Sequence, residues 1–395
     1  MVFVGIDVAK ETHECRILNE YDEDLCKVFS FKNNAEGFNE LYEKILSVES
    51  DISQVKVGLE ATGHYSCSIL NFLHNKGFCT TVVNPLQIKR YGKFLSLRNT
   101  KTDKVDTRFI AGVLTSGADL TPYSPLSYHI QQLKEYTRYR FARVKIRSKY
   151  KTNLSRLTDI LFPELSAYFN NNLHCSSVYA LLAEFPSAYN VASANLTRLH
   201  NLLRSASRGR YNKEFALKLR DAARTSVGIF SPAKCLELQM TITHIQALDS
   251  EINVIESAIS SIMQKIDSPI LSIPGIGQHT AASIIAEIGD FSLFENPDKL
   301  LAFSGFVPST YQSGKFVSSR CSLEKHGSKY LRCALYLAAR VASVQIPEFA
   351  QYVAKKRREG KHYTVIMSAI VKKLVRLMFA LEKSKRTYVK NFKAA

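Results

Sequence analysis

The order of apolar and polar positions divides the chain into three stretches. The first opens on a short apolar run, Val2–Ile6, that ends at Asp7. After a polar turn a second run, Glu14–Leu18, follows as in a hairpin. Ala35–Leu46 carries Phe38, Leu41, Tyr42 and Ile45 at helical spacing. Val55–Leu59 reads as a strand ending at Glu60, Ser66–Leu73 as a helix, and Cys79–Val83 as a strand stopped by Asn84-Pro85. This alternation predicts a sheet covered by helices over residues 1–125.

The second stretch, 126–268, is helical and basic. Leu133, Tyr136, Val144, Leu154, Leu157 and Leu161 recur among Arg and Lys. Further on, Ile245, Leu248, Ile252, Ile255, Ile259, Ile262 and Ile266 alternate by three and four, the period of a coiled-coil seam. The two long helices pair with each other or with another subunit; one long helix of an ordinary bundle gives the same pattern. Between them, about 165–235 reads as a small helical insert with a basic loop, Arg204 to Arg210. The third stretch, 269–395, begins at Leu271-Ser-Ile-Pro-Gly-Ile-Gly277, ahead of a helix-favouring run, Thr280–Ile288. Gly275 and Gly277 fit a helix-hairpin-helix-like turn, whose backbone N–H groups face a phosphate; a plain turn fits as well. Fold class is therefore α/β followed by all-α.

Composition narrows the function. The 395 residues include 53 Lys+Arg against 35 Asp+Glu, a formal charge of +18. Such an excess points to a polyanion, most often nucleic acid. No run of 18 uncharged apolar residues exists, so a membrane span is not expected, and the first residues lack the features of a signal peptide. The eight cysteines form no CxxC pair. Neither a zinc site nor a disulfide framework is expected, and a reducing cytoplasm fits.

Four acids carry the candidate chemistry. Asp7 and Glu60 end strands; Asp103 and Asp106, in Lys101-Thr-Asp-Lys-Val-Asp106, stand three apart and share one face of a helix. Alone, each Asp has a local explanation as a turn former, helix cap or first-turn acid. Together they make a set of hard oxygen donors suited to Mg²⁺ or Mn²⁺. Two such ions about 4 Å apart activate a water and stabilise the leaving oxygen in phosphodiester cleavage. Lys89, Arg90, Lys93, Arg98, Lys101 and Lys104 flank the acids as nucleic-acid contacts.

A second centre lies in the third stretch, where Gly305-Phe-Val-Pro308 leads into Ser309-Thr-Tyr311-Gln-Ser313-Gly314-Lys315, with Arg320, Lys325 and Lys329 beyond. A serine before glycine can be presented on a tight turn, and its attack on a phosphodiester would leave a covalent link that conserves the bond energy. A plain Ser-Gly turn is the commoner role. Tyr311 is a rival nucleophile, and Ser309, Ser318, Ser319 and Ser322 stand nearby, so the residues themselves leave the choice open.

Taken in order, these segments resemble the DEDD transposases of the IS110 insertion-sequence family, with its IS1111 branch. Gly5-Ile-Asp7-Val-Ala-Lys10, Glu60-Ala-Thr-Gly63, Asn84-Pro85 and Lys101-Thr-Asp103-x-x-Asp106 are similar to the family's RuvC-like (RNase H-like) N-terminal domain. Ile273–Gly277, Gly305–Pro308, Gln312–Lys315 and Lys325–Arg332 are similar to its C-terminal transposase domain. The resemblance implies a DNA recombinase that works as a tetramer in the bacterial or archaeal cytoplasm, at the nucleoid. A structured non-coding RNA, the bridge RNA, would pair with donor and target DNA. It implies a composite site in which Asp7, Glu60, Asp103 and Asp106 form the tetrad and Ser313 is the nucleophile. Many relatives read Ser-Ser-Gly-Gly where this chain reads Gln312-Ser313-Gly314-Lys315; the serine before glycine is kept. Two other readings stand beside it. A junction-resolving nuclease would use the same acids with water and have no need of Ser313. A non-catalytic nucleic-acid-binding protein would show no metal-dependent strand cleavage.

Overall fold

The computed structural model describes residues 1–60, 65–95, 103–116, 120, 122–123, 128–307, 312–313, 316–317, 323, 325 and 327–389. The chain divides into two compact units, Met1–Pro125 and Leu126–Ala395.

The first unit is built on a five-stranded sheet of order β3-β2-β1-β4-β5. Strands β1 (Val2–Asp7), β2 (Thr12–Leu18) and β3 (Phe29–Lys32) are antiparallel neighbours. β4 (Val55–Glu60) runs parallel to β1, and β5 (Cys79–Val83) parallel to β4. The sheet is thus mixed, antiparallel on one side of β1 and parallel on the other. Helices α1 (Ala35–Val48) and α2 (Ser66–Asn75) cover one face, where Val4, Ile6, Val57 and Leu59 pack with Phe38, Leu41, Ile69 and Leu73. Helices α3 (Pro85–Leu95) and α4 (Asp103–Thr115) cover the other, where Phe3 and Val83 pack with Ile88, Ile110, Val113 and Leu114.

Two elements were not foreseen. β3 is a four-residue edge strand in which only Phe31 is buried. Asn84-Pro85 stops β5 but also starts α3: the Asn84 side chain accepts from the Leu86 N–H at 2.9 Å, and Pro85 supplies the fixed φ that suits a first helical position.

One close approach sets the geometry of this unit. Gly5 and Gly58 are direct neighbours on β1 and β4. A Cβ on Gly5 would run into the Thr107 carbonyl and lie 2.8 Å from the Ala111 nitrogen. One on Gly58 would lie 3.0 Å from Leu114 Cδ1 and 3.1 Å from Ile110 Cγ2. Helix α4 therefore rests on the sheet where two side chains are missing, its backbone over Gly5 and its Ile110 and Leu114 side chains over Gly58.

Among the described residues the second unit is helical apart from one pair of two-residue strands. α5 (Tyr128–Leu161) leads to five shorter helices, α6 (Leu165–Tyr168), α7 (Ser176–Glu184), α8 (Ala188–Ser193), α9 (Leu196–Ala206) and α10 (Lys213–Arg224). The long α11 (Pro232–Met263) then returns. Ion pairs Arg140–Glu256, Arg143–Glu251, Arg147–Asp249 and Arg156–Glu237 descend α11 as they climb α5, so the two helices pair antiparallel within the chain. The isoleucine-rich seam from Ile245 to Ile262 is at most 8% exposed without any second subunit.

The rest comprises α12 (Gln278–Ile288), α13 (Pro297–Ser304), β6 (Gln312–Ser313), β7 (Phe316–Val317), α14 (Lys329–Gln345), α15 (Pro347–Arg358) and α16 (Tyr363–Ser384). One continuous core joins Leu133, Ile255 and Ile259 to Ile284, Leu335 and Ile370. Residues 126–268 and 269–395, read separately along the sequence, thus share one unit. No described helix is long and apolar enough to cross a membrane.

Gly5→Ala is expected to cost the first unit about 1–3 kcal/mol, because the clash is with backbone that cannot move aside. Hydrogen exchange should show protection lost in β1 and α4. Gly277→Ala, with nothing within 4 Å of the new Cβ, serves as the control. Unchanged protection in Gly5→Ala would mean that α4 does not rest on β1.

Candidate active site

The paired strands deliver the first two acids. With Gly5 opposite Gly58 and Ile6 opposite Leu59, the register brings Asp7 and Glu60 to the ends of adjacent parallel strands at one level. Side chains alternate along a strand. Ile6 and Leu59 enter the α1–α2 core, so Asp7 and Glu60 belong to the opposite face, with Phe3, Gly5 and Gly58. That face carries α4. Phe3 packs among Ile110, Val113 and Leu114, whereas Gly5 lies under Thr107 and Ala111. The helix therefore runs antiparallel to β1, and its first turn reaches toward the end that Asp7 closes. Asp103 opens that turn and Asp106 follows one residue before Thr107. Asp7, Glu60 and Asp106 are all half-buried.

Of the flanking cations, Lys89, Arg90 and Lys93 are exposed on α3, while Arg98 and Lys101 lie outside the described residues. Lys104 stands in the first turn of α4. In the second unit, β6 ends at Ser313, which pairs with Phe316 across an antiparallel bridge. Tyr311, Lys315, Arg320, Ser309, Ser318, Ser319 and Ser322 lie outside the described residues. Lys325 is exposed in the left-handed region, at φ 54°, and Lys329 begins α14 with its ammonium 5.0 Å from the Tyr330 ring centre.

Comparison with known proteins bears on this arrangement. Residues 4–163 match a family profile described as transposase, and residues 267–354 match one described as the IS116/IS110/IS902 family of transposases. The chain belongs to this family of insertion-sequence transposases. The pilin gene-inverting protein of Moraxella lacunata is 25% identical over 392 residues, 98% of each chain. The uncharacterized 44.8 kDa protein of insertion element IS116 from Streptomyces clavuligerus is 22% identical over 391 residues, 98% of this chain and 96% of that one. Among solved structures, T. thermophilus RuvC in complex with a Holliday junction substrate matches 31% of this chain and 99% of its own, at 14% identity and a TM-score of 0.24.

The transposase acts on DNA, and its acids are of the type a hard divalent cation takes: carboxylate oxygens, with no soft sulfur donor among them. Among the described residues no three His, Cys, Asp or Glu side chains stand together as a ready metal cage. The glycines of the Ile273–Gly277 turn have different reasons. Gly275 adopts φ +90°, and a Cβ there would lie 2.8 Å from the Ala342 nitrogen, so close packing against α14 requires it. Gly277 caps α12 without a side-chain bond and leaves the helix N-terminus unobstructed.

One group had no signal in the sequence. Glu287, near the end of α12, is 2% exposed at its side chain and accepts two bonds from Arg138 of α5, Nε at 2.6 Å and Nη2 at 2.9 Å. It also accepts from the Ser328 side chain, just ahead of α14. Burial pushes the Glu287 carboxyl up; the bonds from Arg138 and Ser328 and the nearby charges of Arg138 and Lys134 outweigh burial and hold it below its ordinary value.

A carboxyl held low in the folded state adds stability that is complete above its ordinary value of 4.5 and is lost as pH falls through the folded value. Glu287→Gln removes that titration. The variant should be less stable than the parent by about 1–2 kcal/mol at pH 7, a charged hydrogen bond discounted for the half-exposed Arg138. The gap should narrow by pH 3. Urea midpoints of both proteins at the two pH values check this; a constant gap would show that Glu287 titrates normally.

Proposed function

We propose that this transposase cuts and rejoins DNA through a divalent-metal site formed by Asp7, Glu60, Asp103 and Asp106, with Ser313 as the nucleophile. The observation that carries the reading is the placement of Asp7 and Glu60 side by side on the α4 face, with the first turn of α4 directed at them. Mg²⁺ or Mn²⁺ held there would supply charge stabilisation for the scissile phosphate. The Ser313 hydroxyl forms a bond to phosphorus as the bond from phosphorus to the deoxyribose oxygen breaks, and its proton passes to that leaving oxygen. A strand-end hydroxyl of the new partner then displaces the serine, which recovers its proton.

Two considerations favour this route over hydrolysis. A relative matched over its full length is named for inverting a gene, and an inversion must reseal every strand it opens. A serine–phosphate ester keeps the energy for resealing; hydrolysis discards it. The acids belong to the first unit of the chain and Ser313 to the second, and the transposase works as a tetramer. The exposed Lys89, Arg90 and Lys93, with Arg98, Lys101, Lys104, Lys315, Arg320, Lys325 and Lys329, contact donor and target DNA and a structured guide RNA. The open N-terminus of α12 at Gly277 faces a phosphate. The excess charge of +18 fits such partners and a place at the nucleoid in the cytoplasm.

Asp7→Ala and Glu60→Ala are expected to abolish recombination while leaving the melting temperature and DNA affinity near those of the parent. EDTA should do the same, reversed by added Mg²⁺. Ser313→Ala should bind DNA and RNA but lose the DNA-linked protein band on a denaturing gel. An adduct that persists in Ser313→Ala and vanishes in Tyr311→Phe would assign the nucleophile to Tyr311, and activity in EDTA would exclude the metal site.

A further inference from the structure

We infer that Glu287 is a positioning residue for the serine segment, acting through Ser328 and Arg138; the inference rests on the reading of Ser313 as nucleophile. Ser313 lies between α13 and α14, and the structure ties both ends of that interval. On the incoming side α13 closes at Gly305 in the left-handed conformation, and Phe306 is buried. On the outgoing side Gly327, at φ +91°, abuts the Phe303 carbonyl so closely that no Cβ fits. The chain therefore leaves and rejoins the helical core at neighbouring points.

The outgoing end is held by a polar network centred on the buried Glu287. Ser328 spends all three bonding positions of its hydroxyl. It donates to Glu287 and accepts from the N–H groups of Tyr330 at 3.2 Å and Leu331 at 3.3 Å, which starts α14. Arg138 forks onto the two Glu287 oxygens, and its guanidinium lies 4.9 Å from the Tyr330 ring centre. The edge of Phe141 closes on the same ring at 5.1 Å. Lys134, half-buried, adds a second positive charge beside Glu287. Glu287 and Arg138 are 149 residues apart in sequence, so the network joins three separate elements, α5, α12 and the start of α14.

Stability alone does not explain such a pair. Desolvating two charges costs about as much as their attraction returns, and well-packed apolar residues of the same volume hold a core equally well. What apolar residues lack is direction. A bidentate fork fixes the plane of both partners, and the Ser328 bond transmits that plane to the residue at which the serine segment rejoins the core. A nucleophile must be held to within a fraction of an ångström of its phosphorus, and misplacement by about 1 Å costs on the order of 100-fold in rate.

The test uses the full chain with its DNA and co-purified RNA. Glu287→Gln, Arg138→Lys and Ser328→Ala are expected to bind DNA within about twofold of the parent by fluorescence anisotropy. At saturating DNA they should form the covalent adduct about 10- to 100-fold more slowly. Ser328→Thr, which keeps the hydroxyl, should restore the rate. In the three slow variants, hydrogen exchange should rise more in peptides spanning 308–326 than in α5 and α12, whose rise should match the loss of stability alone. A rate that falls only in step with the folded fraction, or exchange that rises evenly over the whole unit, would make the network a structural brace and overturn the inference. Should exchange change as expected while Ser313→Ala still forms the adduct, Glu287 keeps its role and the assignment of the nucleophile falls.

Discussion

The contact on which the candidate site depends is one that side chains would prevent. Gly5 and Gly58 stand next to each other in the sheet; the backbone of α4 lies directly on Gly5, and its Ile110 and Leu114 side chains fill the space above Gly58. Side chains ordinarily fill the gap between a sheet and the layer packed on it, about 10 Å when that layer is a second sheet; here the gap is closed at one point. Two residues further along each strand, the side-chain alternation returns to the same face at Asp7 and Glu60. The lowered helix brings its first turn, with Asp103 and Asp106, down toward them. The two missing Cβ atoms thus set how low the first turn of α4 lies over the strand ends that carry Asp7 and Glu60.

The second unit solves a different problem, that of holding two cores on one scaffold. Its apolar seam supplies attraction without direction, and the ladder of Arg–acid pairs between α5 and α11 supplies register. Four arginines of α5 face acids of α11. These pairs are partly solvated, so each adds little to stability. In an antiparallel pair their order distinguishes the observed alignment from one slipped by a turn, which would set the same seam against itself with mismatched charge. Cations spent in this way do not contribute to the positive surface, so the remaining excess falls on other faces.

How much of this was legible in the sequence depended on how local each cause was. β1, β4 and β5 showed as apolar runs because each is buried on a core face. Asp7 and Glu60 were visible as the polar residues that end two of those runs. Asp103 and Asp106 were visible from their spacing. β3 was not, since a four-residue edge strand with one buried side chain carries almost no pattern. α3 was hidden because Asn84-Pro85 is equally a stop for the strand before it and a start for the helix after it. The period of the isoleucine seam announced a partner helix, but α5 and a second subunit would produce the same period; the ion pairs choose between them. The Glu287–Arg138 pair left no trace, because a single acid near the end of an apolar helix gives no hint of a partner on α5. The choice among Ser313, Tyr311 and the neighbouring serines stayed open for a related reason: what separates them is alignment with a phosphate, which composition does not record.

The meeting of Gly327 with Phe303 has a consequence for how this transposase can diversify. A stretch of chain that departs and returns at one place is, to the fold, an insertion. The entropy of closing such a stretch grows only with the logarithm of its length, about 0.6 kcal/mol for each doubling. The helices around it need no change of register when it is lengthened, shortened or rewritten. A change between the two anchors therefore bears on chemistry without disturbing the helices, whereas a side chain added at Gly327 presses on the Phe303 carbonyl and so on the helical core itself.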